Sequence, residues 1–129
     1  MKIKLLYKQL LSYSSIGVIS LVIDATIYII LSEIFLVSKS LSKIVSFIIA
    51  SINSFLGNKI FTFKVKSFSL REPLKFILLY FVSLIANSLT HDFLLSYFDG
   101  LMPFVISTLV SIIINFMGQK LWVFKNIKK

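Results

Sequence analysis

The chain has 129 residues, a formal net charge of +9, an apolar content of 57% and a mean hydropathy of +0.94. A soluble domain is about 45–50% apolar, and a chain this short exposes too much of its surface to hide a larger apolar share from water. The composition therefore excludes an ordinary soluble domain, and the lack of cysteine excludes a disulfide framework and a cysteine-based metal or redox site.

Four apolar runs are each long enough to cross a bilayer as a helix, which takes about 20 residues. In chain order they cover about 11–35, 41–63, 76–98 and 101–124. Open strand edges are not tolerated in hydrocarbon, so we predict that all four runs are helices. The predicted fold class is an all-α membrane protein with four transmembrane helices, forming a single domain over residues 1–129.

Each predicted helix carries polar or small residues four apart, a spacing that places them on one face. The four stripes are Ser20, Asp24 and Tyr28; Ser46, Ala50, Ser54 and Asn58; Ser83, Asn87 and His91; and Ser107, Ser111, Asn115 and Gln119. Small residues let helices approach closely in lipid, and amides hydrogen-bond across such contacts. We therefore expect the four faces to converge on a bundle interior or a subunit interface.

Asp24 is the acidic residue of the first stripe. A carboxylate in the middle of a membrane costs about 2.5–3.5 kcal/mol on insertion scales, which favours an interior position and a functional role. The alternative is a structural hydrogen bond to a buried Ser, Tyr or Asn.

A twelve-residue sequence motif at the end of the second helix, which we call the repeated phrase, recurs at the end of the fourth. The sequence "NSFLGNKIFTFK", residues 53–64, is followed sixty-one residues later by "INFMGQKLWVFK", residues 114–125. The two copies predict two helical hairpins in the same orientation, a parallel repeat with halves of about 1–66 and 67–129. Similarity between the first and third helices is faint, at an offset nearer 66.

The basic residues flank the predicted helices unevenly. Twelve of the fourteen lie at the N-terminus, around the middle loop and at the C-terminus: Lys2, Lys4, Lys8, Lys59, Lys64, Lys66, Arg71, Lys75, Lys120, Lys125, Lys128 and Lys129. The other two, Lys39 and Lys43, follow the first helix. By the positive-inside rule, both termini and the middle loop are expected in the cytoplasm, with the first helix retained and not cleaved as a signal peptide.

Each copy of the repeated phrase holds a lysine about one turn before its helix ends. Lys59 and Lys120 each follow an amide and precede an aromatic residue by two positions. The neighbours are Asn58 and Phe61 in the first copy and Gln119 and Trp122 in the second. Lysine binds phosphate as a point charge, and amides donate to phosphate or sugar oxygens, so the phrase is a candidate phosphate site. Snorkelling of both lysines to the headgroups is the alternative.

Catalytic and metal-binding motifs are absent from the sequence. It contains no phosphate-binding G-x-x-x-x-G-K-[ST] loop, no G-x-S-x-G elbow and no H-E-x-x-H pair. One histidine without cysteine does not make a typical zinc site, and no pair of carboxylates has a spacing that suggests acid–base chemistry. We therefore predict neither an enzyme nor a cofactor.

On these residues the chain resembles the GtrA-like, or GtcA-like, family of small four-helix bacterial membrane proteins, and the membrane part of some dolichol-phosphate-mannose synthases. The family pattern has a Gly early in the first helix, an acidic or amide residue about seven later, and N-F-x-x-N-[RK]-x-[aromatic]-x-F ending helices two and four. Gly17 and Asp24 fit the first part. In the phrase, Ser54 replaces the first Asn of one copy and Gln119 the second Asn of the other. Lys stands where Arg is common, which implies single-point phosphate contacts.

The resemblance implies a function in glycosylating cell-surface polymers such as O-antigen or wall teichoic acid. The implied ligand is an undecaprenyl-phosphate-linked sugar, moved across or presented at the cytoplasmic (inner) membrane, with membrane lipids and a membrane-associated glycosyltransferase as further partners and no nucleic acid. The implied headgroup contacts are Lys59, Lys120, Asn58, Asn115 and Gln119 with Phe61 and Trp122, while Asp24 and Asn87 would hydrogen-bond sugar hydroxyls.

Two other functions stay open. A non-transporting subunit that anchors a glycosyltransferase would use the phrase as a docking surface. A small proton-coupled exporter of cationic compounds would use Asp24, although the lysine–aromatic phrase suits an anion better than a cation. Four polar faces are many for one thin bundle, so we also expect a homodimer or a larger homo-oligomer.

Overall fold

The computed structural model describes residues 2–125 and is built from helices. The four α-helices are α1, Lys2–Ile29; α2, Lys39–Gly57; α3, Arg71–Leu95; and α4, Met102–Gly118. Three of them continue directly into one wider, π-helical turn: Ile30–Ile34 after α1, Asn58–Thr62 after α2 and Gln119–Val123 after α4. Lys128 and Lys129, which contributed to the predicted orientation, lie outside the described residues.

Two helix boundaries differ from the sequence prediction. The first helix begins at Lys2 instead of near residue 11, because the leading residues contain no Gly or Pro and are rich in Lys and Leu, which are good helix formers. The third helix runs from Arg71 to Leu95 instead of over 76–98. Pro73 falls in its first turn, where the missing backbone N–H has no helical partner to lose.

Four helical segments are long and apolar enough to cross a membrane. They are Lys2–Ile34, Lys39–Thr62, Arg71–Leu95 and Met102–Val123. The prediction of an all-helical chain with four long apolar helices is therefore confirmed, and the structure fits a four-span membrane protein.

Burial along these helices is the reverse of that in a soluble protein. The buried side chains are largely small or polar, among them Ser42, Ser46 and Ser107, whereas Leu21 and Phe81 are exposed. All members of the predicted stripes are buried or half-buried. The polar faces therefore point into protein, and the apolar sides are left to contact lipid.

The chain forms two compact units, which we call unit 1, Met1–Lys66, and unit 2, Ser67–Lys129. In unit 1, α1 packs against α2 with the chains running in opposite directions. The Ser12 and Thr62 hydroxyls lie 2.9 Å apart, and the Asn53 amide donates to Ser20 Oγ at 2.9 Å. These contacts involve the polar stripes and their neighbours, so the stripes set how the two helices align.

In unit 2, α3 packs antiparallel to α4 through reciprocal serine bonds. Ser83 Oγ donates to the carbonyl of Ser111 at 3.3 Å, and Ser111 Oγ donates to the carbonyl of Ser83 at 3.4 Å. Each hydroxyl reaches the backbone of the other helix, which requires the two backbones to approach closely. The small residues Ser83 and Ser111 therefore have the packing role that their size predicts.

Glycines of the repeated phrase stand at close helix contacts in both units. A Cβ added at Gly57 would lie 2.9 Å from Ile16 Cγ2, and one at Gly118 would lie 2.7 Å from Leu79 Cδ2. Because Gly57 and Gly118 are sixty-one residues apart and Ile16 and Leu79 are sixty-three apart, this packing favours an offset of 63 between α1 and α3. The faint sequence similarity had favoured an offset nearer 66.

Candidate functional site

The two copies of the repeated phrase have the same local structure at the end of their helices. Each π-helical turn starts at the amide residue and contains the lysine, in Asn58–Thr62 and in Gln119–Val123. Such turns within α-helices are often found at functional sites. The turn Ile30–Ile34 lies outside the phrase, so the π geometry alone does not identify a site.

In the first copy, the amide of Asn58 is buried and satisfied at both ends. Its Nδ2 lies 3.4 Å from Ser54 Oγ, and its Oδ1 accepts from Thr62 Oγ1 at 3.1 Å. Thr62 in turn contacts the Ser12 hydroxyl of α1. These bonds join the end of α2 to α1, so Asn58 has a structural role in unit 1.

In the second copy, the matching amide has no such partners. The Gln119 side chain is 0% exposed, and within residues 2–125 neither its Oε1 nor its Nε2 forms a hydrogen bond. The cause is visible in the sequence, because Val123 occupies the position that Thr62 has in the first copy and offers no hydroxyl. One turn earlier, Asn115 Oδ1 is also buried and without a partner in the described chain.

The two amides lie on one face of a membrane-spanning segment, since they are four residues apart. Buried polar groups are nearly always hydrogen-bonded, and each unsatisfied group costs about 1–3 kcal/mol. A side chain amide offers both a donor and an acceptor. Gln119 and Asn115 therefore form the strongest candidate ligand contact in the described residues.

The contrast between the copies predicts the effect of Thr62→Val. The substitution removes the hydroxyl that donates to Asn58 and contacts Ser12, and it leaves a buried amide oxygen unsatisfied. We expect a loss of about 1–3 kcal/mol of stability, measured as a lower thermal midpoint in detergent. Ser15→Ala serves as the control, because this exposed hydroxyl bonds only to the backbone carbonyl of Leu11 in its own helix. An unchanged midpoint for Thr62→Val would contradict the assigned bonds.

The two lysines of the phrase differ in exposure. Lys59 is buried, with 5% of its surface exposed, whereas Lys120 is half-buried. The Lys120 ammonium lies 5.7 Å from the centre of the Phe116 ring, one turn back along the helix, a cation–π contact. Lys59 is therefore packed within the protein, and its contact with a phosphate stays a prediction.

The aromatic residues that follow the two lysines of the phrase are exposed. Phe61 is 67% exposed, and Trp122 is partly exposed. Lys75 of α3 lies over the Trp122 ring at 5.7 Å and donates to the carbonyl of Trp122 at 3.3 Å. These exposures are typical of aromatic residues that contact the membrane interface. The contact of Lys75 was not predicted from the sequence.

The family described as "GtrA/DPMS, transmembrane domain" matches residues 12–125. The chain belongs to this family. Searches of curated proteins and of solved structures gave no match. The family is a membrane domain, generally non-catalytic, and membership makes the chain a multi-pass membrane protein consistent with a role in handling lipid-linked sugars.

In this GtrA/DPMS domain, Asp24 is engaged within unit 1. Its carboxylate accepts hydrogen bonds from the Lys43 ammonium and, at 2.6 Å, from the Ser46 hydroxyl. A hydrogen bond to a Ser, Tyr or Asn was the expected structural alternative, and Ser46 supplies it. The ion pair with Lys43 was not predicted. The structure places this lysine in the second turn of α2.

Asp24 is not brought to the repeated phrase. Its partner Ser46 lies twelve residues before Asn58 on α2, which is about 18 Å along the helix axis. Asn87 of unit 2 is half-buried, and its side chain makes no hydrogen bond within the described part of the chain. Within unit 1, the Asp24 cluster and the first copy of the phrase thus occupy different parts of the helix pair. Among residues 2–125, no cluster of three potential metal ligands occurs.

Proposed function

We propose that this GtrA/DPMS domain binds a polyprenyl-phosphate-linked sugar in the bacterial cytoplasmic membrane and moves it between the two leaflets. The observation that supports this most directly is Gln119, whose buried amide has neither its donor nor its acceptor used within the described residues. A sugar phosphate offers hydroxyl donors and oxygen acceptors, which would satisfy both ends of the amide.

The ligand's three parts suit three features of the helices. Its phosphodiester would meet Lys120, with Lys59 as the corresponding cation of unit 1, because an ammonium attracts phosphate as a point charge. Its sugar would hydrogen-bond to Asn115 and Gln119. Its polyprenyl tail would stay in the lipid beside the exposed apolar sides of the helices. There it remains in an apolar environment throughout.

The path of the sugar in this proposal follows the polar stripes. From Gln119 the stripe of α4 continues through Asn115 and Ser111, and Asn87 on α3 supplies a further amide. By the positive-inside rule, the proposal puts the termini and the repeated phrase on the cytoplasmic side, where a membrane-associated glycosyltransferase would deliver the loaded lipid. The product serves glycosylation of cell-surface polymers, and the working unit is a homo-oligomer.

The export of cations is less well supported than the handling of an anion. A proton-coupled exporter needs a carboxylate that alternates between proton and substrate, and the Asp24 carboxylate is bonded to Lys43 and Ser46. The cations of the phrase attract anionic ligands. A subunit that only anchors a glycosyltransferase remains the principal alternative. A leaflet-exchange assay distinguishes it from a transporter.

The experiment is a leaflet-exchange assay. Purified protein is reconstituted into liposomes that hold undecaprenyl-phosphate-glucose, and a membrane-impermeant reagent reports the fraction of lipid accessible outside over time. We expect protein-dependent exchange above that of empty liposomes. Absence of exchange by well-folded protein would overturn the transport proposal and favour the anchoring subunit, whose signature is co-purification with a transferase.

The variant Val123→Thr tests the role of Gln119 in this assay. A threonine here should donate to the Gln119 oxygen as Thr62 donates to Asn58, so the amide would no longer be free for a ligand. The thermal midpoint should stay or rise, while exchange should fall roughly two- to ten-fold, the worth of one net hydrogen bond. Val123→Ala is the matched control, because it removes packing without adding a hydroxyl. A Val123→Thr protein with full exchange and a raised midpoint would contradict the assignment of Gln119 to the ligand.

A further inference from the structure

A second polar region of unit 1 borders a cavity of about 720 Å³ that is open at the surface of the helices. Lys39, Ser40 and Lys43 line it from the first turns of α2, and Tyr28 lines it from α1. The rest of the lining is apolar: Ile44, Phe47 and Ile48. The cavity therefore combines a cationic end with an apolar wall, which is the pattern that an amphipathic anion requires.

The cations of this cavity are not fully used by the protein. Lys43 donates to Asp24, yet 57% of its side chain is exposed, and an ammonium has three donors. Lys39 makes no ion pair or side-chain hydrogen bond in the part of the chain that the structure describes. Asp24 cancels one of the two positive charges, and Glu33, the other carboxylate near this end of α1, does not line the cavity. One net positive charge is left for a ligand.

The position of the cavity along α2 identifies the environment of the ligand. Lys39 opens the span Lys39–Thr62. Lys59, in the repeated phrase, lies twenty residues further on, which is about 30 Å along the helix. A bilayer's hydrocarbon core is also about 30 Å thick. The distance from Lys39 to Lys59 thus matches the thickness of the hydrocarbon core, and from this match we infer that the cavity is at the depth of lipid headgroups.

We propose that this cavity binds the phosphate of a singly charged anionic phospholipid, with Lys39 and Lys43 contacting the phosphate and the apolar wall contacting the first part of a chain. Asp24 competes with the phosphate for Lys43 and so limits the affinity. The inference does not depend on the transport of a lipid-linked sugar, since it concerns a different region and an ordinary membrane lipid.

The test places a fluorescent reporter in the cavity wall. Trp122→Phe removes the chain's one tryptophan, and Phe47→Trp puts a single tryptophan beside the lysines. The protein is reconstituted in phosphatidylcholine vesicles containing either brominated phosphatidylglycerol or brominated phosphatidylcholine, with bromine near the headgroup. We expect stronger quenching by phosphatidylglycerol, and the ratio of the two is the selectivity of the site.

Two substitutions should change this selectivity in opposite directions. Lys39→Gln should lower it roughly five-fold, the contribution of one lysine near a charged lipid surface. Asp24→Asn should raise it, because Lys43 is released from its carboxylate partner. Lys8→Gln, which removes the same charge from an exposed position elsewhere on α1, should leave it unchanged.

Several outcomes would overturn the proposal. Equal quenching by both lipids would show that charge does not select the occupant, and quenching by neither would show that another copy of the chain covers the cavity. Loss of selectivity on adding millimolar glycerol phosphate would show a site for free phosphate and not for a lipid. If Lys39→Gln and Lys8→Gln lowered the selectivity equally, the net charge of the protein and not a site in the cavity would explain the selectivity.

Discussion

Replacement of both Lys59 and Lys120 by alanine is expected to reduce leaflet exchange of undecaprenyl-phosphate-glucose to the level of empty liposomes. The two lysines are the cations within the π-helical turns that end the copies of the phrase, and the proposed ligand carries an anionic phosphodiester through apolar surroundings. Removing a charged partner from a desolvated ion pair costs about 2–5 kcal/mol. A loss of that size at each lysine corresponds to exchange that is slower by about 700-fold or more for the pair.

The control for this prediction comes from the same phrase. Lys64 and Lys125 close the two copies, are exposed and lie beyond the membrane-spanning segments. The double variant Lys64→Ala/Lys125→Ala removes the same charge and should keep most of the exchange. If it were as inactive as the first variant, general attraction of the lipid to a basic surface would explain the effect, and the phosphate site would be wrong.

Folding has to be separated from binding, because Lys59 is buried. The single variant Lys120→Ala changes a half-buried residue and should fold normally, with an unchanged elution volume and thermal midpoint. It should still slow exchange by roughly ten-fold or more, as expected for one charge-assisted contact. Lys59→Arg/Lys120→Arg keeps both charges and should retain much of the exchange. Wild-type exchange by a folded Lys120→Ala protein would contradict the role of this lysine.

The sequence was sufficient for the helices and their buried faces because both follow from local periodicity. Apolar runs of the required length predicted four spans, and the spacing of four residues predicted that Ser46, Ser54 and Asn58 share a buried face. A lipid environment makes this inference simpler, because a chain in hydrocarbon has to pair its backbone N–H and C=O groups internally, and helices do so. Boundaries were less accurate because Lys2 and Arg71 begin helices in polar segments, where hydropathy gives no signal.

The candidate site was less predictable because it depends on what the neighbouring helix offers. Asn58 and Gln119 have equivalent positions in the phrase and were predicted to act alike. The structure separates them, since Thr62 and Ser12 complete the bonds of Asn58 whereas Val123 leaves Gln119 without a hydroxyl. The exchange of Thr for Val is visible in the aligned copies, but its consequence requires the fold.

The ion pair of Asp24 was missed for a related reason. Lys43 lies nineteen residues away in sequence, and the connection between α1 and α2 had to be placed before the two could be paired. The predicted second helix, about 41–63, includes Lys43, but hydropathy does not show which of its residues faces Asp24. The position of Lys43 in the second turn of α2 brings it to Asp24 and gives the cavity of unit 1 its cationic end.

A graded series at three glycines is expected to measure how closely the helices pack. An alanine Cβ at Gly118 would lie 2.7 Å from Leu79 Cδ2 and closer still to Cδ1, so the buried Leu79 side chain has to move. Overpacking of this kind costs about 1–3 kcal/mol, whereas alanine in a helix gains about 1 kcal/mol over glycine. The clash is the larger effect, and Gly118→Ala should lower the thermal midpoint in detergent.

The other two glycines are the reference positions for that measurement. At Gly57 the new Cβ would meet Ile16 Cγ2 at 2.9 Å, a milder contact that the helix gain nearly offsets, and at Gly17 nothing lies within 4 Å. The midpoints should therefore rank Gly17→Ala above Gly57→Ala and Gly118→Ala lowest, with Gly17→Ala at or above wild type. A midpoint for Gly118→Ala equal to that of Gly17→Ala would show that α3 and α4 do not approach as closely as described.

A second substitution at the contact decides whether the clash is the cause. Leu79→Ala alone leaves a cavity and should destabilise unit 2 by about 2–5 kcal/mol. In the double variant Gly118→Ala/Leu79→Ala the added methyl faces the space that the leucine left, so the two losses should not add. We expect a coupling of about 0.5–3 kcal/mol in the stabilising direction, the range measured for residues in contact. Strict additivity would place the damage of Gly118→Ala elsewhere, and the glycine of the phrase would then serve the lipid-linked ligand instead of the packing of α3 on α4.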